Sequence, residues 1–214
     1  MKNLDEIIER IHESFEDRTY VRDQALKQAR LLTRHCANAI RAVHRDENEL
    51  ANEHLSAAAE LAKALNTDAA KYPDIYYAGY TQDALKEYAE AKITHALINH
   101  QPLPTPEELK IEHNTYLKGL AEAAGELRRR VMDILRHNHS TEAERLLGNM
   151  DEIYAVLVTM DYPDAITGGL RRLTDIVRGV TERTRGDLTI SLRQERLEQY
   201  LQAFEQKMSN NSSA

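Results

Sequence analysis

Glu87 and Glu90 stand three residues apart in the stretch Lys86-Glu87-Tyr88-Ala89-Glu90-Ala91. Glu122 and Glu126 stand four apart in Gly119-Leu120-Ala121-Glu122-Ala123-Ala124-Gly125-Glu126. At these spacings each pair projects from one face of a helix. The flanking residues Ala89, Ala91, Ala121, Ala123, Ala124 and Gly125 are small. Small side chains let two helix backbones approach, so two antiparallel helices would gather four carboxylates around one point. Like charges that close raise one another's pKa. A hard divalent cation such as Mg²⁺, with Mn²⁺ as a substitute, removes that cost because it takes oxygen ligands. It could then activate a water and stabilise a phosphoryl group in transfer, which is the chemistry of a metal-dependent nuclease. A solvated helix face carries glutamates at the same spacing, so the residues alone leave two readings open: an inter-helix site or a surface.

Other residue types narrow the chemistry. A di-iron carboxylate bundle needs Glu-x-x-His on two helices. Glu9-Arg10-Ile11-His12 is one match, but neither Glu90 nor Glu126 has a His three residues on. Arg30, Arg34, Arg41 and Arg45 form one helical stripe opposite Leu32, Cys36, Ala39 and Val43, and Arg18 with Arg22 forms a further i, i+4 pair. These arginines are candidate phosphate contacts, or a solvated face partly neutralised by Asp46 and Glu47. Tyr76, Tyr77 and Tyr80 could stack on bases, although inter-helix packing with the hydroxyl at an edge is the commoner use of such a cluster. His95 lies off the Glu90 face and is a poor ligand candidate. Cys36 sits on an apolar stripe and reads as core.

Long helical segments must position these groups. The expected segments run from about Leu4 to Val43, with a break near Asp17, and from about Glu47 to Leu65, with a stop at Asn66-Thr67-Asp68. The second would face inward through Leu50, His54, Leu55, Ala58, Leu61, Ala62 and Leu65. A third runs from Pro73 to about Asn99. Thr105, Pro106 and Glu108 make a capping box with proline at the first helical position, opening a fourth helix that reaches about Arg136 with an interruption near Asn114. A turn at His137-Asn138-His139 precedes Ser140, the cap of a helix ending near Met160. A final helical region covers about Ala165 to Lys207, with a hinge at Arg185-Gly186-Asp187. We expect an all-α, single-domain bundle of about seven helices over residues 1–208, with a disordered tail at 209–214.

Bulk composition supports this and excludes other classes. Hydrophobic residues make up 42% and charged residues 29% of 214 positions, as in an ordinary globular core. No stretch approaches the ~20 apolar residues of a membrane span. The single cysteine, Cys36, excludes an internal disulfide framework and points to a reducing, cytoplasmic setting. The net charge of −7 argues against a broadly basic nucleic-acid surface but leaves room for a local basic stripe.

Four stretches resemble the translin superfamily, and the TRAX branch more than translin itself. They are RLLTRHCANAIRAVHR (residues 30–45), YPDIYYAGYTQDALKEYAEA (72–91), YLKGLAEAAGEL (116–127) and RRLTDIVRGVTERTRGDL (171–188). The second resembles the TRAX segment built around EYVEA, and the third the segment YL-GVADLTGEL. The resemblance covers most of the chain with the motifs in order. It places the family's acidic site on Glu87, Glu90, Glu122 and Glu126, with Glu122 standing where the family has Asp. It implies a seven-helix fold assembled into a closed, octamer-like homo-oligomeric barrel with the acids facing inward. It also implies Mg²⁺-dependent endonucleolytic cleavage of single-stranded RNA, with binding of single-stranded RNA or DNA. Translin's basic patch beside the third helix is not reproduced here.

Overall fold

The computed structural model describes residues 3–136 and 140–212, whose regular secondary structure is all helix, with no strand among them. Helix α1 spans Leu4–His44, α2 Asn48–Ala69, α3 Pro73–Tyr76, α4 Gly79–Ile98, α5 Pro106–Leu109, α6 His113–Leu135, α7 Ser140–Val158, α8 Asp164–Thr167 and α9 Leu170–Ser212. The all-α expectation holds. The chain packs as two compact units, Met1–Ala123 and Ala124–Ala214, where the sequence suggests one bundle.

Boundaries differ from expectation in instructive ways. α1 is unbroken through Asp17, and α2 runs on through Asn66-Thr67-Asp68. Polar residues of this kind tolerate helix interiors when a tertiary face is already buried. The buried stripe of α2 is Ala51, Leu55, Ala58, Ala62, Leu65 and Ala69. Leu50 is 42% exposed, so the apolar face is rotated from the one read in the sequence. The third expected helix is broken at 77–78; the fourth is interrupted at 110–112, where Lys110 adopts a left-handed conformation (φ 55°), just before the interruption expected near Asn114. The capping box of α5 forms as expected: the Glu108 N–H donates to Thr105 Oγ1 and the Thr105 N–H to Glu108 Oε2. α9 is continuous through Arg185-Gly186-Asp187 and continues past Ser209, where the tail was expected to begin. The turn at 137–139 lies outside the described residues.

In the first unit, α1 packs along α2 and α4. The shared core holds Leu32, Cys36, Ala39 and Val43 of α1, Leu55, Ala58 and Leu65 of α2, and Leu85, Ala89 and Ile93 of α4. A fully buried Leu or Val contributes about 1.5–3 kcal/mol by leaving water. Polar clamps then fix where α4 begins. Thr81 Oγ1 donates to the Ile75 carbonyl (2.8 Å), and Gln82 Nε2 to that of Tyr76 (2.8 Å). The Thr115 hydroxyl of α6 donates to Gln82 Oε1 (2.7 Å), so one glutamine ties the starts of α4 and α6 together. Tyr76 also donates to Glu112, and burial, then the Glu112 charge, pushes its phenol up to about 12. Tyr76 and Tyr77 stand edge to face at 4.8 Å, with Tyr76 half-buried and Tyr77 exposed.

His95 of α4 is buried, and burial, then the nearby Lys92 charge, holds its imidazole below the ordinary 6.5. A depressed folded-state value means the contribution to stability is present above pH 6.5 and lost as pH falls through the folded value. The thermal midpoint is expected to fall between neutral pH and pH ~5. His95→Gln should flatten that slope, and an unchanged slope would assign the acid sensitivity elsewhere.

In the second unit, α7 packs against α9. Leu127, Val131, Leu146, Met150, Leu157, Leu170, Val177 and Leu188 are buried. Beyond Leu188, α9 presents Ile190, Leu197, Leu201, Phe204 and Met208 to solvent, each more than half exposed. No helix among the described residues is long and apolar enough to cross a membrane.

Candidate metal centre

Glu87 and Glu90 project from α4, and Glu122 from α6. One carboxylate oxygen from each lies within 4.8 Å of the other two, with Glu90 buried and the others half-buried. These three acids therefore converge between α4 and α6. Two residues that the sequence reading passed over explain the geometry.

The first is Gly119, three residues before Glu122 and on the same face of α6. A Cβ there would lie 2.6 Å from the Ala89 Cβ and 2.9 Å from both the Glu90 nitrogen and the Lys86 carbonyl oxygen. The α6 backbone rests directly on the turn of α4 that carries the acids. The available signal was a glycine inside a helix, which costs about 1 kcal/mol relative to Ala and so calls for a packing reason. Gly125, noted for its size, has open space around it among the described residues.

The second is Lys86. Its ammonium lies 2.7 Å from Glu122 Oε2 and 3.2 Å from Glu87 Oε1. Burial works to lower the Lys86 pKa, but the hydrogen bond and charge of Glu122, joined by Glu87, outweigh it and hold the value above the ordinary 10.5. The chain thus supplies one positive charge to its own carboxylate cluster. Cys36 lies behind the cluster, fully buried. Burial, then Glu87 and Glu90, pushes its thiol well up, so it is an inert core residue as expected.

Glu126 is four residues beyond Glu122 on α6 and belongs to the second unit, where Arg129 approaches it at 3.6 Å. Arg30, Arg34, Arg41 and Arg45 are all exposed, opposite the buried face of α1. Arg41 donates to Asn38 (3.1 Å). Arg18 pairs with Asp74 (3.1 Å) and lies over the Tyr72 ring, and Arg22 pairs with Asp23 (3.1 Å). Those two are partly neutralised, which the helical spacing of the sequence did not reveal.

The donor set suits a hard divalent cation. Three carboxylates match the oxygen preference of Mg²⁺, whose ligands sit at about 2.0–2.1 Å and hence up to about 4.2 Å apart across the ion. At most one pair among three ligands can stand opposite in this way, and adjacent pairs stand about 2.9 Å apart, so the carboxylates, now within 4.8 Å of one another, would draw together around the ion. Lys86 would have to release Glu87 and Glu122 as the cation bound.

Comparison with known proteins agrees with this architecture. The chain is 33% identical over 183 residues to an uncharacterized protein of Methanocaldococcus jannaschii, spanning 85% of this chain and 81% of that one. It is similar to AfC3PO in complex with duplex RNA, with a TM-score of 0.82 and 30% identity over 89% of this chain and 98% of that one. Against AfC3PO alone the TM-score is 0.81 at 31% identity, with the same coverage. The apo-NeC3PO structure matches with a TM-score of 0.74 at 22% identity, a likeness of fold. No protein-family model matches the chain. With an all-α architecture shared with AfC3PO at 30–31% identity over 89% of the chain, the protein belongs to the translin/TRAX superfamily.

Proposed function

We propose that this protein is a Mg²⁺-dependent endoribonuclease for single-stranded RNA that also binds single-stranded RNA and DNA. The observation that carries the reading is the meeting of Glu87, Glu90 and Glu122 within 4.8 Å on two helices held together at a glycine. Glu87, Glu90 and Glu122 would hold the cation, which when bound supplies positive charge to the phosphate and acidifies water. Glu126 is the fourth acid of the two helical pairs, one that the family resemblance also assigns to the site, and its role is tested by its own substitution. Lys86, once its carboxylates are engaged by metal, leaves an ammonium beside the site to face the phosphate. The exposed stripe of Arg30, Arg34, Arg41 and Arg45 would track the backbone and give salt-dependent affinity. Arg18 and Arg22 would contribute less, each already having a carboxylate partner.

The similarity to AfC3PO bound to duplex RNA supports RNA as the nucleic acid. The exposed apolar stripe of α9 supports assembly into a closed, octamer-like homo-oligomer. The buried free thiol suits the cytoplasm. The test is cleavage of single- and double-stranded oligoribonucleotides with Mg²⁺, with Mn²⁺ and with EDTA. Cleavage that persists in EDTA and in Glu122→Ala would remove the proposed site. Glu126→Gln should also reduce cleavage.

A second reading, a binding protein without catalysis, is favoured by one observation: Lys86 already neutralises part of the cluster. Lys86→Met separates the two. Without the ammonium, the carboxylates repel, and stability should fall by about 1–3 kcal/mol. Under the nuclease reading Mg²⁺ or Mn²⁺ raises the thermal midpoint of Lys86→Met by more than it raises that of the parent. No rise in either protein would favour the non-catalytic reading.

A further inference from the structure

A second pair of ligating side chains lies away from the acids. His35 of α1 and His54 of α2 place their Nδ1 atoms 3.1 Å apart, with ring centroids at 5.3 Å and planes inclined at 61°. Both rings are half-buried at the seam between the two helices. Their neighbours are firmly packed: Leu32, Cys36 and Ala39 on α1, and Ala51, Leu55 and Ala58 on α2, are all buried. Two nitrogens are therefore presented to one another by backbones that have little freedom to separate.

The separation is that of two ligands on one ion. With metal–nitrogen bonds of about 2.0–2.1 Å, adjacent ligand nitrogens stand about 2.9 Å apart in octahedral and about 3.4 Å apart in tetrahedral coordination. The observed 3.1 Å falls between the two. We propose that His35 and His54 form a nitrogen-ligand site, separate from the carboxylate cluster, that takes a late first-row divalent cation such as Zn²⁺, Ni²⁺ or Cu²⁺ and clips α1 to α2. Imidazole selects these ions over Mg²⁺, which prefers oxygen. Water would complete the coordination, because both rings remain partly exposed.

The proton balance is simple. In the metal-free protein one ring donates an Nδ1–H to the other's Nδ1 lone pair. On binding, that proton moves to Nε2 of the same ring, both Nδ1 lone pairs face the ion, and no net proton is released from the neutral pair. Burial first, then His54 and Arg34, holds the His35 imidazole below its ordinary value, which favours the neutral form at neutral pH. Arg34 opposes the incoming dication, so moderate rather than tight affinity is expected. Because Cys36 is the next residue along and lies behind Glu87 and Glu90, the clip would brace the helix that backs the acidic site.

The experiment is calorimetric titration of the tag-free full-length protein with Ni²⁺ at neutral pH, alongside thermal unfolding with and without the ion. With Mg²⁺ in excess to occupy the carboxylate cluster, the expected result is one Ni²⁺ ion per chain and a raised midpoint. His35→Ala and His54→Ala should each weaken binding roughly tenfold or more and abolish the rise, while Glu122→Gln leaves both intact. Cu²⁺ added in place of Ni²⁺ should show nitrogen coupling in its paramagnetic resonance spectrum, lost in the same histidine variants. If an alanine variant fails to fold, the glutamine variant at that position must show the same loss. Binding unchanged in both histidine variants, or lost in Glu122→Gln instead, overturns the proposal.

Discussion

Gly119→Ala is expected to destabilise the protein by about 1–3 kcal/mol, the usual cost of overpacking. The substitution runs against helix propensity, since Ala in a helix interior is worth about 1 kcal/mol more than Gly. Contact decides the sign. The new Cβ would meet the Ala89 Cβ at 2.6 Å and two α4 backbone atoms at 2.9 Å. Backbone atoms cannot swing aside as a long side chain can, so α4 and α6 must part. The parting falls at the turn carrying Lys86, Glu87 and Glu90, and the carboxylates should lose their register with Glu122. Divalent-cation affinity should therefore fall with stability, and Gly119→Val should be worse on both counts. Gly125→Ala is the control: its Cβ meets no described atom within 4 Å, so propensity should win and the variant should be as stable as the parent or more so. Urea unfolding of the three variants checks this. Gly119→Ala matching the parent would mean that α6 does not rest on α4 as described.

The second large effect is expected at Glu122. Glu122→Gln preserves shape and removes the charge that holds both Lys86 and the proposed cation. Under the proposed function, metal-dependent cleavage should drop by about 10²–10³-fold, or roughly 3–4 kcal/mol of transition-state stabilisation. Glu122→Asp should retain most of the activity, because the resemblance places Asp at this position and the carboxylate withdraws by only one methylene, about 1.5 Å. Single-turnover cleavage at saturating Mg²⁺ measures both. Equal activity in Glu122→Gln and the parent would detach the cluster from the reaction.

Legibility differed among the parts. Helicity, the cap at Thr105 and the inward face of α1 at Leu32, Cys36, Ala39 and Val43 were readable because each depends on local spacing. The rotated face of α2 was not, because Leu50 and Leu61 look as apolar as Leu55, and only packing against α1 selects among them. Breaks were misjudged for a related reason. Asn66-Thr67-Asp68 has weak helix propensity, which burial of Leu65 and Ala69 overrides. The ion pairs of Arg18 and Arg22 are not legible in helical spacing, because their partners, Asp74 and Asp23, depend on a distant turn and on side-chain rotation.

The sequence by itself determined that the chain is helical, that Glu87/Glu90 and Glu122/Glu126 each share a helix face, and which family the motifs resemble. These are properties of short windows, where a 3.6-residue period is enough. Only the tertiary structure decided that Glu87, Glu90 and Glu122 converge and that Lys86 sits among them. It also decided that Gly119, not Gly125, is where the helices meet, and that His35 faces His54. Each of these is a contact between segments distant in the chain, made by which faces the core turns inward, and no local period records it.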